Sequence, residues 1–455
     1  MNAKGTPSRG LLGTTLGFFF GFAAVALYGP TAVKFKEAMD LTPALVGLLI
    51  AIPSLSGSLL RIPFGAWVDT TGGKIPFMIL LILSAVGLGG VTLLLHTSYP
   101  EGMKGMYWLV LFFGFLSGCG IATFSVGIAQ TSYWFPRNRQ GSALGTFGGL
   151  GNLAPGLFSI ILPLYLTRFG FISAYFAWFL FLLLGTVLYG IIGLNSYYFQ
   201  YRKTGLSDEA SKAKAREHGQ EIFPSGGVKE SLLNSAKIPN TWALVVLYFT
   251  TFGGFIALTA WFPTYWSEFQ NFEPVRAGLF TAVFSILASL IRVYGGKVAD
   301  KFGGERTVLV SMSVIMISAA MLSFASGVVT SILIVILLAL GMGISNGAIF
   351  KLVPAYIPKA VGGASGWIGG LGAFGGFALP PLMGAIAGKY GTEGYARGFL
   401  VFVALSIVNL LIIYVLIKTR QKHQAVINPG NHIKLSRYES VKQTGLFQQE
   451  RREKR

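Results

Sequence analysis

Acidic residues are scarce in this chain. Only 17 Asp and Glu stand against 36 Lys and Arg, and all charged residues together make up 12% of the 455. There are 4 histidines and 1 cysteine. Each shortage excludes something. The lone thiol, Cys119, can close no disulfide within the chain and has no metal-ligating neighbour in sequence, so neither a disulfide framework nor a cysteine metal centre is expected. An ordinary soluble domain carries about 25% charge. A chain with 12% charge, 53% hydrophobic residues and a mean hydropathy of +0.62 is instead expected to cross a membrane many times.

Apolar runs of the ~20 residues that a bilayer requires recur along the whole length. Twelve are read, at about 11–31, 42–67, 75–96, 107–130, 141–165, 171–197, 240–265, 275–299, 306–327, 330–354, 364–387 and 397–418. The net charge of +19 gathers in alternate loops: Lys4 and Arg9, Lys74, Arg137 and Arg139, the 198–239 stretch, Lys301 and Arg306, Lys359, and the tail. The positive-inside rule places those loops, and both termini, in the cytoplasm of a cell-membrane protein. The basic tail carries no aromatic interleaving, so it is read as solvated or facing lipid headgroups, with no nucleic acid as partner. No small-residue cleavage site follows the first span, which is therefore read as retained.

No Asp or Glu lies inside any of the twelve spans, and His96, His218, His423 and His432 stand at span ends or in loops. A cation carrier and a proton relay built on carboxylates or histidines are both disfavoured. Against this background two arginines stand inside apolar runs, Arg61 in span 2 and Arg292 in span 8. A charge at that depth costs about 3 kcal/mol even on insertion scales, so each is a functional candidate. With no internal carboxylate to pair with, the two point to an anionic ligand. A guanidinium fork suits a planar oxyanion, to which it donates two parallel hydrogen bonds.

The arginines also reveal a repeat. Arg61, Gly65, Asp69, Gly72 and Gly73 recur as Arg292, Gly296, Asp300, Gly303 and Gly304, at a constant offset of 231 residues. The arginines sit eight residues before the aspartates, ~12 Å along a helix, near the middle of a ~30 Å apolar core. Glycine-dense spans repeat as well: GGLGNLAPG with Gly148, Gly149, Gly151 and Asn152, and GGLGAFGGF with Gly369, Gly370 and Gly372. Such glycines allow close helix packing and leave room for long side chains beside them. Asn152, the polar residue of the first copy, is a candidate hydrogen-bond partner for an anion or an arginine. The only long polar stretch between spans divides the chain into residues 1–197, a six-helix bundle; 198–239, a cytoplasmic linker, part of it amphipathic; 240–420, a second six-helix bundle; and 421–455, a basic cytoplasmic tail.

The doubled loop motif Gly65, Asp69, Gly72 with Gly296, Asp300, Gly303 resembles the cytoplasmic loop motif of the major facilitator superfamily, whose role is conformational. The resemblance implies an all-α membrane protein of twelve transmembrane helices in two pseudo-symmetric six-helix bundles. The two glycine signatures, with one arginine each in spans 2 and 8, are similar to those of the nitrate/nitrite porter family, over all twelve spans. By that likeness Arg61 and Arg292 hold nitrate or nitrite between the halves. Tyr248 and Phe252 match the family's Tyr-x-x-x-Phe in span 7, and Phe124 its span 4 aromatic. Two departures are evident: Ala373 stands where the first copy has Asn152, and Ala154-Pro155 follows that copy, where a kink is expected. Lys351 in span 10 occurs in some similar members and adds a candidate third positive charge, or a proton carrier; the alternative is that it snorkels toward the cytoplasmic side, eight residues from Lys359. Expected, then, is a monomeric secondary transporter of nitrate and/or nitrite working by alternating access, as nitrate/proton symport or nitrate/nitrite exchange, for nitrate assimilation. A carrier of another small anion such as a short carboxylate, or a nitrate-binding membrane sensor, is the alternative. No metal cluster, nucleophile triad or phosphate loop is present in the sequence, so no enzyme, metal or cofactor is expected.

Overall fold

The computed structural model describes residues 3–136, 139–224, 228–325, 327–357 and 361–427. Most of the 421–455 tail, and the 358–360 loop with Lys359, lie outside them. The described chain is helical throughout, with twelve helical units long and apolar enough to cross a membrane. They are Pro7–Met39, Pro43–Thr71, Lys74–Ser98, Tyr107–Trp134, Thr146–Phe169, Phe171–Ile192, Pro239–Glu268, Pro274–Ala299, Gly304–Phe324, Val328–Val353, Gly363–Arg397 and Leu400–Arg420, called here spans 1 to 12. The even number puts both ends of the bundle and the linker on one face, the terminal face; the other is called the outer face.

Several spans are broken where the sequence removes a backbone donor or a side chain. Span 2 is two helices, Pro43–Leu59 and Arg61–Thr71. Pro63 has no N–H for the Leu59 carbonyl, and the break falls between them. Span 5 breaks the same way at Asn152, because Pro155 has no N–H for Gly151. This is the kink expected from Ala154-Pro155. Span 11 breaks at Phe374, inside its glycine run. Span 7 carries a wide turn, the π-helical segment Phe249–Gly253. Such turns insert one extra residue and recur at functional sites.

The repeated loop has one local cause in both halves. Gly72 and Gly303 end spans 2 and 8 with φ of 79° and 89°, a left-handed backbone that a Cβ would strain. Asn195, just past span 6, clamps the first copy: its amide donates to the Thr71 carbonyl at 3.1 Å and its Oδ1 accepts from the Lys74 N–H at 2.8 Å.

The linker is not slack. Besides the short helix Tyr197–Lys203 at its start, two helices form in it, Asp208–Glu217 and Val228–Ala236. The second is tied to span 11: the Trp367 indole donates to the Leu232 carbonyl at 2.9 Å, and Trp367 packs on Trp242.

The two six-span groups meet tightly toward the outer face. Spans 5 and 8 touch backbone to backbone; a Cβ placed on Gly278 would stand 1.8 Å from the Ser159 carbonyl oxygen. Spans 2 and 11 do the same at Gly47, 2.6 Å from the Pro380 carbonyl oxygen by the same measure. Lys36 and Glu268 close the outermost layer with an ion pair at 3.2 Å. Toward the terminal face, Gly296 of span 8 and Gly369 of span 11 have open space beside them. The halves are therefore packed backbone to backbone on the outer side, with room beside these two glycines nearer the terminal face. Replacing Gly278 with Ala is expected to pry the outer seal apart. In a Cys119→Ser, Thr264→Cys background, where position 264 is buried in the outer half of span 7, labelling by an impermeant maleimide should rise on adding Gly278→Ala.

Candidate functional site

Arg61 stands where span 2 breaks and is 1% exposed. Its Nη1 donates across the halves to the Gly369 carbonyl of span 11 at 3.1 Å. Its Nε and Nη2 are buried and have no partner. Those two nitrogens lie on one edge of the guanidinium plane, so a complete two-pronged fork is vacant of partners. Arg292, in the unbroken helix Pro274–Phe302, is half-buried. Its Nη2 donates to the Tyr248 hydroxyl at 3.0 Å, and its Nη1 is buried without a partner. A buried donor left unmade costs about 1–3 kcal/mol, more when charged. Three such N–H positions converging from both halves mark a place for an acceptor-rich ligand.

Aromatic faces take the place of carboxylates around the two cations. The Arg61 guanidinium lies 5.0 Å from the centre of the Phe124 ring and 5.4 Å from that of Phe252. The Arg292 guanidinium lies 5.1 Å from Phe252 and 5.9 Å from Tyr248. Since both sit just over 5 Å from the Phe252 centre, the guanidinium groups are at most about twice that apart. Tyr248 and Phe252 stack at 4.9 Å with their planes 10° apart, one turn from each other on span 7. Among the described residues no carboxylate pairs with either arginine. Each ring face offers about 0.5–2 kcal/mol of cation–π attraction, enough to hold a guanidinium without neutralising it.

The structure thus brings Arg61, Arg292, Tyr248, Phe252 and Phe124 together. Asn152 lies at the seam between the halves: its carbonyl accepts from Ser289 of span 8 at 3.2 Å, one turn before Arg292, and its side-chain Oδ1 is buried without a partner. The signature glycines divide their work. Gly151 admits the Phe18 ring and Gly372 the Tyr248 ring, at 2.0 and 2.6 Å from where a Cβ would stand. At these two positions the room is filled by aromatics, and not by the arginine side chains the sequence implied. Gly149 and Gly370 face Val293 and Ile62 of the opposite half, Gly148 lies beside Phe124, and Gly369 supplies the carbonyl on Arg61.

Lys351 is not brought to this cluster. It is exposed at the terminal end of span 10, and its ammonium donates to the Ala299 carbonyl at 3.0 Å. Ala299 lies seven residues beyond Arg292 on span 8, ~10 Å along the helix. In the loop motif, Asp69 accepts from the Tyr133 hydroxyl of span 4, inside its own half. Gly65 lies against Ser125 of the same span. The backbone of Asp300 continues span 8, and its side chain is outside the described residues.

Sequence reasoning missed four contributors. Phe350, next to Lys351, packs edge-on against Tyr248 at 5.0 Å. Phe18 and Phe147 pack with Phe124 at 5.2 and 5.8 Å and fix its ring. The Gly369 carbonyl leaves no trace in side-chain patterns. The only available signal for Phe350 was its place one residue before a lysine inside an apolar run.

The family model of the Major Facilitator Superfamily matches residues 14–380. A "Probable nitrate/nitrite antiporter" of Thermus thermophilus is 30% identical over 393 residues, covering 81% of this chain and 83% of that one. The chain belongs to the nitrate/nitrite porter family of the major facilitator superfamily. A "Nitrite extrusion protein" of Bacillus subtilis is similar too, 27% identical over 400 residues, covering 88% and 92% of the two chains. Among solved structures, the xylose transporter of E. coli in a partially occluded inward-open conformation shares the fold, with a TM-score of 0.67 at 13% identity over 90% of this chain and 99% of that one. These matches make the protein a transporter of this superfamily, and not an enzyme.

The vacant fork of Arg61 makes a quantitative claim. A lysine there keeps the charge and loses the two parallel donors. Arg61→Lys is expected to weaken binding of a planar oxyanion ~10- to 100-fold, the worth of one charge-assisted hydrogen bond. The anion-dependent rise in unfolding temperature of the detergent-solubilised protein, titrated with nitrate, nitrite and formate, measures it.

Proposed function

We propose that this chain is a secondary transporter of nitrate and nitrite that works by alternating access. The observation that carries the reading is the partnerless Nε and Nη2 edge of Arg61 together with the partnerless Nη1 of Arg292, both guanidinium groups lying against the one Phe252 ring. A flat anion with two or three oxygens suits the Arg61 fork, the single open Arg292 nitrogen and the ring faces beside them. The names of the relatives, a probable nitrate/nitrite antiporter and a nitrite extrusion protein, agree with it. The positive charge of the linker and adjoining loops supports a cytoplasmic terminal face in the cell membrane. In that orientation the tightly packed outer side faces away from the cytoplasm.

Exchange of nitrate for nitrite is the favoured coupling. Two guanidinium groups approach from opposite halves, and a bound anion offsets their repulsion, so a loaded carrier closes more readily than an empty one. No Asp, Glu or His lies in the interior of the spans to take up a proton, and Lys351 stands a turn or more away, on the Ala299 carbonyl. One contact favours proton-coupled symport as the second reading: the Gly369 carbonyl already partners Arg61 across the halves. That bond gives an empty site a way to close, and an exchanger does not need one.

Labelled-nitrate uptake into proteoliposomes tests both. With nitrite inside and no pH gradient, uptake is expected to exceed the nitrite-free control severalfold, and Arg61→Lys and Arg292→Lys should each abolish it. Uptake driven by a pH gradient alone, with no internal anion, would assign symport instead. Wild-type uptake in both arginine variants would remove the anion clamp altogether.

A further inference from the structure

The terminal face of the first six spans carries a second concentration of positive charge, unrelated to the anion path. Arg9 lies in the first turn of the helix Pro7–Phe22, and Lys74 is the first residue of the helix Lys74–Ser98. Both helices begin without an acidic residue in the first turn. A helix N-terminus carries a partial positive charge, so a cation there is disfavoured and an anion is wanted. The chain nevertheless draws the two together. Arg9 donates to the Ile191 carbonyl at the end of span 6 at 3.4 Å, and the Lys74 N–H is held by Asn195 four residues on. Lys203 ends the short helix that follows, Tyr197–Lys203, whose Gln200 donates to the Asn195 carbonyl at 2.7 Å and to the Lys4 carbonyl at 2.9 Å and so holds it at the same corner.

The nearest carboxylates do not relieve this. Asp69 turns inward to Tyr133, and Asp208 is committed to Lys212 and Tyr198. Among the described residues none of the three cations meets a carboxylate. Directly beneath them, spans 1, 3 and 6 converge: Gly17 of span 1 fits against Phe77 and Tyr189, whose rings stack at 4.1 Å. Around that junction Leu12, Ile75 and Ile191 are 52%, 49% and 64% exposed, and in a membrane protein that surface faces acyl chains. Like charges above an exposed apolar seam match one occupant in both chemistry and depth.

We propose that Arg9, Lys74 and Lys203 form a binding site for the phosphate headgroup of an anionic phospholipid, whose acyl chains lie along Leu12, Ile75 and Ile191. The lipid supplies the negative charge that two helix N-termini and three cations lack. It also braces the loop in which Asn195 clamps spans 2 and 3.

The full-length protein, delipidated and then exposed to phosphatidylglycerol or phosphatidylcholine, tests this by native mass spectrometry. The wild type is expected to retain one phosphatidylglycerol in preference to phosphatidylcholine, and each cation removed should weaken that retention about fivefold. Arg9→Gln, Lys74→Gln and Lys203→Gln combined should lose the preference. Arg9→Lys, Lys74→Arg and Lys203→Arg combined should keep it, and so should Lys214→Gln, Lys301→Gln and Lys418→Gln, which remove exposed cations elsewhere on the same face. A neutralised triple variant that elutes as folded protein and retains the lipid like the wild type overturns the proposal. Full displacement of the lipid by soluble glycerol 3-phosphate also overturns it, because the site would then recognise a free phosphate. Nitrate uptake does not enter the readout, so the outcome is independent of the transported substrate.

Discussion

Two guanidinium groups in the middle of a membrane, with no carboxylate among the described residues to answer them, constrain everything around the centre of this protein. A cation at that depth has to be held by something other than an opposite charge, or the site would be neutral before any anion arrived. The chain holds them with ring faces and with one backbone carbonyl. Phe252 serves both arginines at once. Its position at the π-helical turn of span 7, one turn from the ring of Tyr248 stacked on it, follows from that duty. Cation–π attraction and a single neutral hydrogen bond per arginine leave the charges intact and three donors open. The pair is therefore stable enough to stay folded inward and still short of partners.

The same constraint explains the glycines. A ring that lies on an arginine must lie against something on its other side. Gly372 provides that floor for Tyr248, and Gly151 provides one for Phe18, which in turn backs Phe124, because any side chain there would displace the ring. The glycine signature thus acts on the anion at one remove, by positioning aromatics that position cations. Gly278 and Gly47 act differently: they let backbone meet backbone on the outer side and so define where the halves are shut.

Most of the fold was legible in the sequence because it follows from one-dimensional quantities. Twelve apolar runs, the polar interruption after span 6 and the 231-residue repeat of Arg61 in Arg292 each depend on composition or register. The breaks in spans 2 and 5 were readable in principle from Pro63 and Pro155, whose missing N–H groups leave a carbonyl unmade one turn earlier; only the second was anticipated. The candidate site was legible as far as its charges. Which rings face them was legible only through resemblance, because any one of 37 phenylalanines in an apolar span looks like lipid contact. The Gly369 carbonyl and the packing of Phe350 belong to tertiary structure alone. Lys351 was misleading for a definite reason: position within a hydrophobic run does not reveal which helix face a side chain takes, and this one faces the end of span 8.

The bond between Trp367 and Leu232 has a mechanical side. Trp367 stands two residues before Gly369 on the same helical turn of span 11, and its indole grips the main chain of the linker helix Val228–Ala236. A displacement of that helix, by whatever touches the linker in the cell, is transmitted along half a turn of span 11 to the carbonyl that orients Arg61. The linker is then a lever as well as a tether, with its short arm ending at the anion site.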